Sequence, residues 1–481
     1  MKISRNQYLI VPQNVEIDLL YSKRLNFGSY HVLLGERSQY TMVSRNDKNI
    51  LLIGYAIDVK MPERSEVDML FFLSRNISID GDNIADLTLY WGGRWVVFIQ
   101  SENGMLAMTD CCGLKQLFYV NNVFGSQSRY VAYATGIDQE KKSQMYIKLA
   151  MSVEKEYSWP LNATLYSSIN RLLPNHLYNR GVVHRVYPSD FFSGMTVAER
   201  ITVVSTLLRN SLIAASHRAR LAVTLTAGWD SRLVLSACSG VKDKIDVVTL
   251  KYHHIPENHI DIQIPSLLCN KYGFAHRVLS CRGLSPGFVS AYKEHSENAH
   301  VYWMQMAQSV YDYGYEEWLW TKGACNEICR NSSGILYNWQ VNAKILSKMY
   351  GIFPNDYSHK VINEWLKGAR SFAKITHYSV LDLFYWEHRL GSWFAECLNE
   401  ADVVGESFTP FNVRAYFELI KTVPINMRIS PNYYFFEQLL KENGISLDIP
   451  INPNRYNSLF DKIKCLLKNR CHLLYGIILN I

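Results

Sequence analysis

No run of about 18 uncharged apolar residues occurs in this 481-residue chain, so no segment is fit to cross a bilayer as a helix. The opening Met1-Lys2-Ile3-Ser4-Arg5 leads into no apolar stretch of signal-peptide length, and a cytoplasmic protein is the expectation. Paired cysteine spacing is missing too. The ten cysteines are scattered, with only Cys325 and Cys329 at i, i+4, a pattern that suits buried reduced thiols rather than a metal-thiolate site. The absence of internal repeats and low-complexity linkers excludes solenoids and disordered tethers. The net charge of +7 is spread thinly, without a basic stripe interleaved with aromatics, so no nucleic acid is expected as a partner, while an anionic small ligand is compatible. His253, His254 and His259 have no carboxylate or cysteine at a fixed interval and read as loop residues, and His276 as a packed strand residue.

What remains is an ordinary globular balance, 48% hydrophobic and 19% charged, at a length that implies two or three domains. From Tyr8 to about Tyr133, β-rich runs such as Ile50-Leu51-Leu52-Ile53 and Trp95-Val96-Val97-Phe98-Ile99 are punctuated by Gly, Asn and Asp, and predict a half made mostly of sheet. From about Thr196 strands and helices alternate. Leu221 to Leu225 is followed by a helix after Asp230 ending at Gly240, then Ile245 to Leu250, a helix from Asp261 to Tyr272 closed by Gly273, and Arg277-Val278-Leu279. That alternation predicts a parallel sheet. Beyond about Ser290 the chain reads as aromatic and helical, with Trp303, Tyr311, Tyr315, Trp318 and Trp320 taken as helix core.

The most informative segment is Thr226-Ala227-Gly228-Trp229-Asp230-Ser231, small residues between the first of these strands and the helix that follows. Such a turn leaves the first helical amides without intrahelical partners and aims them at a ligand, which favours phosphate. It lies at the carboxyl end of its strand, where open parallel sheets bind ligands. Asp230 is the candidate magnesium ligand.

The loop, with Arg232 next, resembles the Ser-Gly-Gly-X-Asp-Ser loop of the asparagine synthetases and asparagine-synthase-related proteins. Further stretches are similar to that family in the same order: Gly93-Arg94-Trp95-Val96-Val97-Phe98 with Thr109-Asp110 and Gly113, Arg171-Leu172-Leu173-Pro174-Asn175-His176, the acidic Asp261, and Thr409-Pro410-Phe411-Asn412 with Val423-Pro424. The resemblance implies an N-terminal Ntn-glutaminase-like β sandwich over residues 1–190, followed by an α/β, adenine-nucleotide α-hydrolase-like (PP-loop) synthetase domain over residues 191–481. It implies ATP and Mg2+ as cofactors, with Leu225, Thr226, Ala227, Gly228, Asp230, Ser231, Leu250 and Gly323 around the nucleotide and Asp230 on the metal.

Three departures qualify the resemblance. Glutamine-using members carry cysteine directly after the initiator methionine, where the free amine activates the thiol. Lys2 stands there, so no glutaminase activity is expected. The family's Gly-Glu-Gly-X-Asp-Glu loop has its counterpart in Lys322-Gly323-Ala324-Cys325-Asn326-Glu327, which keeps Glu327 but replaces the aspartate by Asn326; Arg330 follows three residues on. Asn432 replaces the family's charge-stabilising lysine, leaving Arg389 and Arg428 as candidate cations.

The implied activity is an ATP-dependent amide-forming ligase, releasing pyrophosphate and AMP, with a small-molecule, peptide or sugar carboxylate as substrate and ammonia or an amine as nitrogen donor. An inactive nucleotide-binding or scaffold homologue is the alternative, and a tRNA-modifying thiolase is disfavoured by the missing paired cysteines and basic domain. In the tail, Lys462, Lys464, Lys468 and Arg470 alternate with aliphatic residues, which fits either a membrane or partner contact or a helix docked on its own protein with a solvated face.

Overall fold

A computed structural model of the chain describes residues 1–45, 48–137, 158–188, 190–252, 254–296, 300–331, 333–430, 433–453 and 459–480. His253 and Asn432 lie outside the described residues.

The N-terminal half is built from strands β1 (Tyr8–Pro12), β2 (Lys23–Phe27), β3 (Tyr30–Leu34), β4 (Tyr40–Arg45), β5 (Lys48–Asp58), β6 (Trp91–Ser101), β7 (Gly104–Thr109), β8 (Phe118–Val120), β9 (Val123–Gly125), β10 (Asn170–Arg171), β11 (His176–Asn179) and β12 (Val182–Arg185). They form two six-stranded antiparallel sheets, ordered β10-β8-β9-β1-β3-β2 and β12-β11-β7-β6-β5-β4. Strands β5 and β6 are apolar on both faces because both are covered. On one face Leu51, Ile53, Val96 and Phe98 pack against Tyr8, Ile10 and Val32 of the other sheet. On the opposite face Ile50, Leu52, Trp95 and Val97 meet Met69, Leu70 and Leu73 of the helix Glu66–Asn76, which is capped by Ser65.

The helix Val197–Ser216, opened by a reciprocal Thr196/Glu199 capping box, leads into a second architecture. Strands β13 (Leu221–Thr224), β14 (Ile245–Lys251), β15 (His276–Ser280), β16 (Leu319–Thr321) and β17 (Ser407–Phe408) make a parallel sheet ordered β15-β14-β13-β16-β17. The chain steps outward from β13 to β14 and β15, then returns to β13's other side as β16. The crevice between the carboxyl ends of β13 and β16 is therefore the topological switch point. Helices Trp229–Ser236 and Ile260–Tyr272 connect the first three strands, the former followed by 3-10 turns over Ala237–Lys244 that kink at Val241.

The two halves share a buried, hydrogen-bonded interface. Arg94 donates from both terminal nitrogens to Asp402, at 2.7 and 3.0 Å. Asn412 donates to the Gly93 carbonyl at 2.7 Å and to Asp110 at 2.9 Å, and accepts from the Cys112 amide at 2.9 Å. A β-carbon at Gly391 would lie 2.3 Å from the Pro174 ring, so that approach requires glycine.

Candidate active site

The loop Leu225–Gly228 leaves β13 and is tied down from every side. The Thr226 amide donates to the Ser231 hydroxyl at 3.1 Å, the Ala227 amide to Asp261 Oδ1 at 2.8 Å, and the Gly228 amide to Thr226 Oγ1 at 3.3 Å. Asp261, the acidic residue at the start of the second connecting helix, thus fixes the loop's shape. The following helix opens at Trp229, and the first-turn amides of Trp229, Asp230 and Ser231 have no carbonyl within the helix to bond.

A second loop arrives from β16 and lies directly on that helix start. A β-carbon at Gly323 would sit 2.6 Å from the Ser231 nitrogen and 2.7 Å from the Asp230 carbonyl carbon, which leaves room for no other residue. Cys325 then turns through a left-handed conformation (φ 77°), and Asn326 and Glu327 enter a short 3-10 turn. Lys322, just before Gly323, holds its ammonium 5.1 Å above the Trp303 ring, and burial pushes its pKa down to about 8.

Asp230, Asn326, Glu327 and Arg330 converge where the two loops meet. Arg330 donates from Nε to Asp230 Oδ1 at 2.8 Å and pairs with Oδ2 through Nη2. Asn326 donates from Nδ2 to the same Oδ1 at 2.6 Å, and its Oδ1 accepts from the Tyr416 hydroxyl at 2.7 Å. The amide orientation is thereby fixed with its N–H toward the aspartate. Glu327 has one carboxylate oxygen buried without a partner. Burial, then the charge of Asp230, push its carboxyl up to about 7, against the pull of Arg330 and Arg389.

The magnesium role expected of Asp230 does not fit this donor set. Both of its oxygens are held by cationic or amide N–H groups, Asn326 presents a donor rather than a lone pair, and a divalent ion would compete with the Arg330 guanidinium. Among the described residues no three His, Cys, Asp or Glu side chains gather into a ligand set.

The candidate cations separate. Arg389 lies on a π-helical segment, Tyr385–Phe394, stacked on the Trp393 ring and close enough to Glu327 to lower its carboxyl. The same segment binds the N-terminal half. Glu387 accepts from Arg185, whose Nε lies at 3.2 Å, Trp386 Nε1 donates to the Cys111 carbonyl at 2.8 Å, and Ser392 donates to the Trp159 carbonyl at 2.8 Å. Arg428 is buried with its guanidinium on the Val423 and Cys329 carbonyls, at 3.0 and 2.9 Å. It braces the back of the Glu327 loop and is not brought to the site. Leu250, expected beside adenine, packs at the margin of the cluster of Val248, Trp320, Met304 and Tyr292, whereas Val223 and Val247 join the core that holds the loop helix.

Two further contacts were not legible in the sequence. Arg232, completely buried, donates to the Ile449 and Pro450 carbonyls at 2.6 and 2.7 Å, and the Asn452 amide donates to the Ala227 carbonyl at 3.1 Å. Residues 449–452 thus strap the loop from behind, and Asn452 brings its side-chain amide beside Gly228. Arg330 carried a weak signal, four residues after Asn326 and so on one side of a helical turn; Asn452 carried none.

No family model matches this sequence, and no curated protein matches it. Among solved structures, the chain is similar to the glutamine-dependent NAD+ synthetase of Acinetobacter baumannii over 51% of each chain, with 12% identity and a TM-score of 0.22, so it spans about half the length of that protein. The NH3-dependent NAD synthetase of Campylobacter jejuni is similar over 40% of this chain and 92% of its own, at 15% identity and a TM-score of 0.23. The U34-tRNA thiolase of Methanococcus maripaludis is similar over 59% and 77%, at 11% identity and a TM-score of 0.26. Likenesses at this level say nothing of chemistry, and the site is read from its own geometry.

Proposed function

We propose that the protein is an ATP-dependent amide-forming ligase whose synthetase domain, residues 191–481, adenylates a carboxylate and transfers the acyl group to ammonia or an amine. The observation that carries this reading is the convergence of the Thr226–Ser231 loop and the Gly323–Arg330 loop at the switch point of the parallel sheet. The carboxylate substrate attacks the α-phosphorus of ATP and pyrophosphate leaves; the amine nitrogen then attacks the acyl carbon of the adenylate, the C–O bond breaks and AMP leaves. The first-turn amides of the helix at Trp229 receive phosphate oxygens, and Arg330 and Arg389 oppose the developing charge. Glu327, with a pKa near 7, is suited to hold or release the proton of the incoming amine. The sandwich of residues 1–190 is a glutaminase-type domain acting as scaffold in this reading, bonded to the synthetase domain through Arg94–Asp402 and Asn412.

One observation favours a second reading, an inactive nucleotide-binding or scaffold protein: the Thr226, Ala227 and Gly228 amides and both Asp230 oxygens are already bonded within the chain. Calorimetric titration of Mg-ATP into the protein and into Arg389→Met, which removes a cation placed against the phosphates while leaving the Asp230–Arg330 pair intact, separates the two. Micromolar binding lost in the variant, followed by acid-dependent pyrophosphate release, is expected of the ligase. Absence of binding to the unaltered protein would sink it in favour of the scaffold.

A further inference from the structure

The C-terminal helices Leu459–Arg470 and His472–Asn480 carry an unusual outer face. The second docks on the body through Tyr475 and Leu479, which pack against the cluster around Leu346, Ile362 and Leu381, and through Gly476 against Gln340. Its opposite side presents Leu473, Leu474, Ile477 and Ile478, each between 44 and 53% exposed. Those four lie within one stripe of about 140° at helical spacing, so the outward face is apolar where a helix docked only on its own protein would be polar. Beside it, Trp339 is 70% exposed and stacks on Tyr337, whose ring meets His472 edge-on at 5.7 Å. The preceding helix adds Ile463 and Leu466, 48 and 53% exposed, with Arg470 on the same side.

Charge decides what covers this face. Over residues 459–480 the sequence holds Lys462, Lys464, Lys468 and Arg470 against the single acid Asp461, a net charge of +3, with Lys468 lying along Gly334 and Arg470 exposed on the outer side. A second copy would bring like charges together, which opposes self-association. An anionic bilayer complements them, and its headgroup region suits exposed Trp and Tyr rings beside aliphatic side chains. No described helix is long and apolar enough to span a membrane, so contact is at the surface. We propose that this C-terminal helix pair, with Tyr337 and Trp339, docks the protein on the surface of an anionic lipid bilayer.

The test is co-sedimentation of the full chain with vesicles of phosphatidylcholine alone or with phosphatidylserine at about three to one. Binding to the anionic vesicles at least tenfold above the neutral ones is expected, weakened severalfold by 0.5 M NaCl. Leu474→Asp with Ile477→Asp should reduce it about tenfold or more while the thermal melt stays in place, because both side chains face outward. Trp339→Ser with Arg470→Glu, at exposed positions, provides an independent pair with the same expected direction. Failure to pellet with anionic vesicles would overturn the proposal, as would a dimer in solution that the same substitutions dissociate.

Discussion

Removing Arg330 tests the centre of the site. Its guanidinium and the Asp230 carboxylate are only 7 and 16% exposed, and the pair is held by the 2.8 Å Nε bond and a second contact through Nη2. In Arg330→Met, Asp230 keeps one neutral donor, Asn326, and faces Glu327 without an intervening cation. Breaking a buried pair by removing one partner costs about 3–5 kcal/mol; partial exposure of Asp230 places the expectation near the lower end, about 3 kcal/mol. Asp230→Asn with Arg330→Met should recover about 2 kcal/mol of that, because no uncompensated charge remains. The assay is urea unfolding of the four proteins of the cycle, followed by tryptophan fluorescence, since Trp229 adjoins Asp230. A loss under about 0.5 kcal/mol in Arg330→Met, or additive single variants, would refute the reasoning.

Glu327→Gln should change the pH dependence of stability. A carboxyl whose folded pKa is raised from 4.5 to about 7 contributes stability that is fully present below 4.5 and lost as pH rises through 7, so the glutamine variant gains on the parent across that window, by up to about 3 kcal/mol at pH 8; thermal melts from pH 4 to 8 check it, and a pH-independent difference would contradict it. Gly323→Ala forces a methyl into the backbone of Asp230 and Ser231 and should lower stability by about 2 kcal/mol or more, read as a fall in Tm together with loss of Mg-ATP binding. Arg232→Met should cost about 2–3 kcal/mol and release the strap, seen as faster proteolysis near residues 449–453 with the Asn452 contact undone.

The sequence was most legible where apolar runs are long and bounded. Strands β13, β14 and β15 fall within a residue or two of the expected runs, since each is bracketed by a helix signal or a glycine. Strands β16 and β17, three and two residues long, fall in the aromatic region read as helical; Trp318 precedes β16 and Trp320 lies within it, where the sheet rather than a helix buries it. The fragments quoted as family-like, Gly93-Arg94, Asp110, Pro174 and Asn412, meet at the interface between the halves, where Asn412 donates to both Gly93 and Asp110. They define architecture, which is why their order could be read while their chemistry could not. Asp230 and Arg330, a hundred positions apart, met only through β13 and β16 lying side by side, and no local pattern encodes that neighbourhood.

The π-helical stretch from Tyr385 to Phe394 has two clients. Its bonds run i to i+5, and within this one segment Glu387, Trp386 and Ser392 reach the sandwich while Arg389 reaches toward Glu327. Deleting a single residue here would restore ordinary α spacing and rotate everything beyond it by about 100°, so one client or the other would be let go. The length of this segment is therefore fixed by a handshake between two halves of the molecule. The sandwich thus sets the angle at which an arginine meets the site, and a change in one part is felt in the other.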